Sequence, residues 1–307
     1  MTFLLQLELK TRPPYSFQHS IRRLLNHHSE FEYREDVLYR AMRLWGRPLL
    51  IAVSWKEDDP LTLSVQVKGA KEADQEKIKR RLRHIFSLDR DLTPFYRIVA
   101  LDSKLAKVIE QRKGLRPVLD PSLYECLIKT IIGQQINVSF AATLIQRLTT
   151  LAGDKVTWDG KEYLVFPDPE QVAKLDYSTL QQMQFNRRKA EYIIDISRQI
   201  VNGKIDLEQI YELEDEAAIE EVEKIRGVGC WTAEWLLLLG LGRRDLLPAA
   251  DIGLRNAIRF IYQLDHQPTE QEVRAMGQKW APWRSDATFY LWDALTYPPI
   301  LNNSRPI

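Results

Sequence analysis

The sequence predicts two parts: an α+β N-terminal domain, an antiparallel sheet with helices, over residues 1–110, and a mainly α-helical domain containing a helix-hairpin-helix motif over residues 111–307. Three observations carry this expectation. Runs that are rich in β-branched residues or alternate apolar with polar crowd the first hundred positions. From about Pro121 the apolar spacing becomes helical almost throughout. Between two of those helical patterns, IRGVGCWTAEW, Ile225 to Trp235, places two glycines around a valine.

Taken in order, the chain opens with apolar residues alternating at Phe3, Leu5, Leu7 and Leu9 and gains charge at Glu8 and Lys10, which suits a half-buried strand better than a signal peptide. Pro13–Pro14 breaks the chain, and Ser16 can cap a helix with Phe17, Ile21, Leu24 and Leu25 near helical spacing. VLYRAMRLW, PLLIAVSW and LTLSVQV read as strands of an antiparallel sheet, with Asp58-Asp59-Pro60 turning between the last two. ADQEKIKRRLRHIFSL is an amphipathic helix whose basic residues form a solvated face. Beyond Pro121, Ser122 precedes the helix YECLIKTIIGQQI. Asn137 or Ser139 caps or kinks before FAATLIQRLTTLAG, which Gly153 stops. Asp159-Gly160 between VTW and KEYLVF is a small hairpin. Helices resume after Pro167-Asp168-Pro169, after Asn186, and from Glu214 to Lys224.

Composition narrows the class. With 307 residues, 45% hydrophobic and 28% charged, the chain can bury the cores of about two domains. A formal charge of +1 gives no global positive field, so a nucleic-acid surface would have to be a local patch. Cys126 and Cys230 stand far apart, too few for a disulfide framework or a four-thiolate metal centre, and fit a reducing compartment. No apolar run reaches membrane-spanning length.

The glycines at 227 and 229 permit positive φ and remove bulk, so the amides of Gly227, Val228, Gly229 and Cys230 can converge on an anion at the start of the next helix, Trp231 to Leu239. A tight interhelical turn with no ligand would look the same. Gly240 and Gly242 end that helix, and Asp251, in LLPAADIGLRNAIRFIY, heads another. Its carboxylate could be an N-cap and nothing more.

Together, GLRPVLDPSLYECLIKTIIGQQINV, FPDPEQVAKLD, NRRKAEYI, IRGVGCWTAEWLLL, PAADIGLR and WAPWRSDATFYLW, spread over residues 115–295, resemble the DNA-3-methyladenine glycosylase II family of the helix-hairpin-helix DNA glycosylase superfamily. The N-terminal segment looks like the family's extra domain. The resemblance implies that Asp251 is the catalytic carboxylate. It also implies that Trp231 stands where bifunctional relatives carry a Schiff-base lysine, so that hydrolysis leaves an abasic site without strand cleavage. Neither metal nor cofactor is expected for the chemistry. Trp231 and Trp235, four apart and so on one helix face, would join Trp292 in a slot that holds a flipped alkylated purine by stacking and cation–π attraction. Ile252 replaces the aromatic that some relatives have beside the aspartate.

Gln134 and Gln135 would lie against the minor groove, Gln135 filling the gap left by the extruded nucleotide. The hairpin residues 227–230 and Thr232 would meet the DNA backbone. Arg284 would orient the Asp251 region or meet phosphate, or serve as a helix-terminal ion-pair partner. A monovalent cation is implied at the carbonyls of Glu223, Ile225 and Val228. The implied partner is double-stranded DNA with a damaged base, bound by a monomer in the bacterial cytoplasm at the nucleoid. Two other readings stand beside this one. One is a glycosylase for oxidised or deaminated bases on the same scaffold; the other is a non-catalytic module that binds DNA backbone, against which the carboxylate and the tryptophans argue.

Overall fold

The computed structural model describes residues 4–27 and 30–298. Phe3 of the opening alternation and residues 299–307 of the expected helical part lie outside the described residues. The first part contains β1 (Leu4–Lys10), α1 (Phe17–His27), β2 (Phe31–Arg34), β3 (Val37–Leu44), β4 (Arg47–Trp55), β5 (Thr62–Lys68) and α2 (Gln75–Ile85). The five strands pair antiparallel in the order β1-β5-β4-β3-β2. Leu5, Leu7 and Leu9 face Val67, Val65 and Leu63 across the ladder, and Phe17, Ile21, Ile78, Leu82 and Ile85 of α1 and α2 close over that face. Ser16 caps α1 as expected, its hydroxyl accepting the His19 N–H.

The opposite face of the sheet explains why β4 carries an unbroken apolar run and why β3 is buried on successive residues. A hairpin from the second part, β6 (Asp154–Trp158) and β7 (Lys161–Val165), lays Trp158, Tyr163 and Val165 on Tyr39, Ala41, Leu50 and Ala52. A sheet covered on both faces has no polar side to alternate with. The turn of this hairpin is Asp159-Gly160, both residues with positive φ, as its sequence predicts.

Helices α3 (Thr93–Val99) and α4 (Ser103–Glu110) are not among the expected elements. They lie on the N-terminal side of the division expected near residue 110, yet Phe95, Val99, Leu105 and Val108 belong to the helical core. That core is completed by α5 (Leu123–Gly133), α6 (Val138–Ala152), α7 (Pro169–Ala173), α8 (Tyr177–Gln182), α9 (Arg187–Val201), α10 (Asp215–Glu223), α11 (Cys230–Trp235), α12 (Ile252–Tyr262), α13 (Glu270–Gly277) and α14 (Arg284–Thr296). Ser122, Asn137 and Asn186 cap α5, α6 and α9 through their side-chain oxygens, and Asp168 forms a capping box with Gln171 at α7. After α11 the chain widens into a π-helical stretch, Leu236–Leu241. Gly240 lies inside it, where a Cβ would meet Leu123 at 2.7 Å, and only Gly242, in the left-handed region, ends it.

Helix α14 is buried from Ser285 to Ala294, so its sequence carries no amphipathic stripe. It is tied to the first part by charge. Arg22 of α1 and Arg112 both hold Asp293, and Arg90 holds Asp286 with contacts of 2.7 and 3.0 Å. A further buried pair, Arg40 with Glu125 at 2.6 Å, joins β3 to α5. Among the described residues no helix is long and apolar enough to cross a membrane.

Candidate active site and nucleic-acid interface

The expected hairpin links α10 to α11, but its two glycines have different work. Gly227 has φ +90°, and a Cβ there would lie 2.4 Å from the Tyr192 ring, so both backbone and space demand glycine. Gly229 is extended, with φ −120° and ψ 178°, and a Cβ there would meet nothing within 4 Å. The expectation of positive φ is thus corrected for Gly229, whose lack of a side chain leaves a bare stretch of backbone on open surface. Val228 is corrected as well: its N–H donates to the Ile225 carbonyl at 3.0 Å, so it does not face outward. The exposed Cys230 begins α11, whose first amides have no side-chain cap.

Beside the hairpin, the loop between α5 and α6 presents the two glutamines differently. Gln134 turns inward. Its Nε2 donates to the Gly227 carbonyl at 3.0 Å and to the Thr232 hydroxyl at 2.9 Å, so it is a strut between loop and hairpin. Thr232 is 2% exposed with its hydroxyl engaged, which removes its side chain from the expected DNA contacts. Gln135 is exposed at φ +56°, a conformation that costs a non-glycine residue about 1–3 kcal/mol and persists where the surroundings impose it. What imposes it includes Lys189 of α9. This buried lysine donates to the carbonyls of Ile132 and Gln134 at 2.6 and 2.8 Å, and burial pulls its ammonium below the usual range. Lys189 was invisible in sequence because a lysine following two arginines reads as surface charge.

Asp251 caps α12, its Oδ1 accepting from Leu254 N–H at 2.7 Å. The same oxygen accepts from Trp292 Nε1 at 2.9 Å, while Oδ2 takes no hydrogen bond from the described residues. Asp251 as a whole is 9% exposed. Gly253 keeps room for it, since a Cβ there would stand 3.0 Å from Oδ1. Ile252 is 60% exposed beside it.

The three tryptophans do come together. Trp231 and Trp235 have ring centroids 5.4 Å apart at 51°, and Trp235 and Trp292 are 4.8 Å apart at 32°. A base sandwiched between two rings needs two contact distances, about 7 Å. The slot between the rings is therefore closed, and an incoming base must either stack on the outside of the ladder or part it. Arg23 of α1, another residue the sequence did not single out, places its guanidinium 5.2 Å from the Trp292 centroid.

Arg284 is placed elsewhere. It pairs with both carboxylate oxygens of Asp245 at 2.7 and 2.9 Å, the helix-terminal ion pair among its expected roles. With Arg274, Asp215 and Glu234 it lines a cavity of about 200 Å³. Burial pushes the Glu234 carboxyl up to about 7, against the pull of Arg274 3.4 Å away.

Residues 128–282 match the HhH-GPD profile, described as HhH-GPD superfamily base excision DNA repair protein, and residues 17–127 match that of the 8-oxoguanine DNA glycosylase N-terminal domain. The YfjP protein of Bacillus subtilis is 35% identical over 297 residues, covering 94% of this chain and 98% of that one. The DNA-3-methyladenine glycosylase of the same organism is 36% identical, covering 72% of this chain and 73% of its own length. The solved 3-methyladenine DNA glycosylase of Archaeoglobus fulgidus superposes with a TM-score of 0.84 at 26% identity, covering 97% of this chain and all of that one. With a glycine hairpin leading into the helix of a tryptophan ladder that ends on a capping aspartate, the chain belongs to the HhH-GPD superfamily of base excision DNA repair proteins, in its DNA-3-methyladenine glycosylase branch.

Proposed function

We propose that this protein is a monofunctional DNA glycosylase that extrudes an alkylated purine from duplex DNA and hydrolyses its bond to the sugar. The observation that carries the reading is the Asp251 carboxylate, fixed through one oxygen by Leu254 N–H and Trp292 Nε1 with the other oxygen left over, at the end of a ladder of three tryptophans. As the C1′–N bond lengthens, positive charge grows on the sugar, and a preorganised carboxylate stabilises it without reorganisation cost. Oδ2 is the oxygen available to face that charge or to orient the attacking water. The water oxygen bonds to C1′ and the bond pair leaves with the base, so carboxylate and water suffice and no cofactor is needed. Trp231 offers no amine for a Schiff base, so the strand stays intact.

Gly229 and the uncapped start of α11 supply backbone donors for a phosphate, and Gln135 is the residue that enters the duplex where the nucleotide leaves. A monovalent cation at the carbonyls of Glu223, Ile225 and Val228 would sharpen the phosphate grip, and the protein acts as a monomer. The test is a set of duplexes carrying one defined lesion each, assayed for base release and then for abasic-site cleavage. Release without nicking, and no borohydride-trapped adduct, is the expected result; efficient trapping would overturn the monofunctional assignment.

A further inference from the structure

We propose that Arg23, carried into the site from the N-terminal part by α1, is a leaving-group and specificity residue that contacts the departing base and extends the substrate range to uncharged purines rich in hydrogen-bond acceptors. The proposal rests on the Asp251 reading above. Its ground is the way α1 sits on α14. Arg22 holds Asp293, its guanidinium lies 4.5 Å from the Tyr297 ring centroid, and its carbonyl accepts the Tyr297 hydroxyl at 3.0 Å. With its neighbour so anchored, Arg23 is fixed over Trp292, 5.2 Å from the centroid, and Trp292 in turn holds Asp251. Arginine, indole and carboxylate therefore form one continuous wall.

Arg23 is incompletely compensated in that wall. Asp293, the acid that attracts it most strongly, already carries Arg22 and Arg112. Burial pulls the Arg23 guanidinium below its usual range, with the attraction of Asp293 and then Asp251 working against that effect. Trp235, in the same ladder, has a buried Nε1 with no acceptor among the described residues. Apart from Asp251 Oδ2, which faces the sugar, the unmatched groups at this site are thus donors, and a base that parts the ladder can bring them acceptors.

The chemistry gives Arg23 opposite effects on two kinds of base. In hydrolysis the C1′–N electron pair goes to the base, the water oxygen bonds to C1′, and one water proton stays on the new hydroxyl; the other ends on the base when the base was uncharged and is released to solvent when it was cationic. A purine made cationic by alkylation leaves as a neutral molecule, so a nearby guanidinium gives its departure no help and opposes its entry. An uncharged purine leaves as an anion until protonated, and a guanidinium with an indole N–H donating to N3, N7 or O6 stabilises that charge as it forms.

The experiment compares single-turnover release of hypoxanthine, an uncharged oxo-purine, with release of 7-methylguanine, a cationic base, from otherwise identical duplexes. Wild type, Arg23→Gln, Arg23→Lys and Asp251→Asn are measured, with lesion-free duplex affinity and melting temperature as controls of fold. The expected result is that Arg23→Gln lowers hypoxanthine release at least about tenfold while 7-methylguanine release is unchanged or faster, and that Arg23→Lys recovers part of the loss. Equal losses on both bases, or no loss on either, overturn the proposal and leave Arg23 a packing residue. If wild type releases 7-methylguanine in an Asp251-dependent way but does not release hypoxanthine, this proposal fails and the glycosylase reading stands. If neither base is released, both fall.

Discussion

Asp251→Asn separates the cap from the charge, and the geometry says how cleanly. Both hydrogen bonds to the Asp251 carboxylate end on Oδ1, from Leu254 N–H at 2.7 Å and Trp292 Nε1 at 2.9 Å. An asparagine can keep its carbonyl oxygen there and place its amide where Oδ2 was, so neither donor is orphaned. Asparagine caps a helix about as well as aspartate, and the melting temperature should move by no more than about 2 °C. Alanine at the same position would strand both donors at about 1–3 kcal/mol each and lower the melting temperature by several degrees. What asparagine does remove is negative charge beside a developing cation, a loss of roughly 3–4 kcal/mol in the transition state, or two to three orders of magnitude in rate. The assay is single-turnover release of 7-methylguanine, with affinity for the same duplex measured in parallel. We expect affinity close to wild type and release at least about a hundredfold slower. An asparagine variant that melts normally and releases base within about tenfold of wild type would return Asp251 to being a helix cap.

The remaining predictions concern the elements that hold the site. Gly227→Ala puts a Cβ 2.4 Å from the Tyr192 ring at φ +90°, and should destabilise the fold by about 2–3 kcal/mol in denaturant melts; Gly229→Ala meets no atom and should leave stability unchanged while weakening binding to lesion-bearing and lesion-free duplexes alike. If Gly229→Ala affects lesion DNA alone, the hairpin belongs to the base pocket. Lys189→Met removes the donor to Ile132 and Gln134, and should reduce nucleotide extrusion, read from 2-aminopurine fluorescence beside the lesion, more than it reduces lesion-free affinity; equal losses would show that Lys189 supports the fold only. Glu234, pushed up to about 7 by burial, is protonated in the folded state over a range where the unfolded chain has lost the proton, so its contribution to stability is complete below about 4.5 and is lost as pH rises through about 7. Glu234→Gln should flatten that loss, by up to about 3 kcal/mol, in melts at pH 5 and pH 8; an unchanged pH slope would refute it.

Much of this was legible because the signals are local. Ser122, Asn137, Asp168 and Asn186 each announce a helix start by a side-chain oxygen one residue before it, and Asp159-Gly160 announces a turn that needs positive φ twice. Asp251 and the ladder of Trp231, Trp235 and Trp292 could be named because they sit in recognisable stretches. The errors share another cause, which is that long-range partners decide them. Gly229 and Gly227 are alike in sequence, and only Tyr192, 35 positions before Gly227, distinguishes them. For Arg284 the sequence leaves three roles open, and only Asp245, 39 positions earlier, selects the helix-terminal ion pair among them. Val228 and Thr232 look available in the string and are turned inward by Ile225 and Gln134. Arg23 and Lys189 are charges in basic runs, a pattern that gives no sign that one covers a tryptophan and the other underpins a loop.

The same long-range contacts explain why a sheet domain remote in sequence from Asp251 bears on its position. Trp292, which holds the carboxylate, sits on α14 between Asp286 and Asp293, and both acids are buried against arginines from outside the helix. An apolar helix buried on every side can slide or rotate among near-equivalent packings, because dispersion is not directional. Ion pairs cannot, since a one-residue shift would leave a buried charge without its partner, at about 3–5 kcal/mol. Such pairs add little net stability, but they exclude the alternatives. Arg90 and Arg22 therefore fix the register of α14 from the N-terminal side, α14 fixes Trp292, and Trp292 fixes the oxygen of Asp251 that leaves its other oxygen free for the sugar.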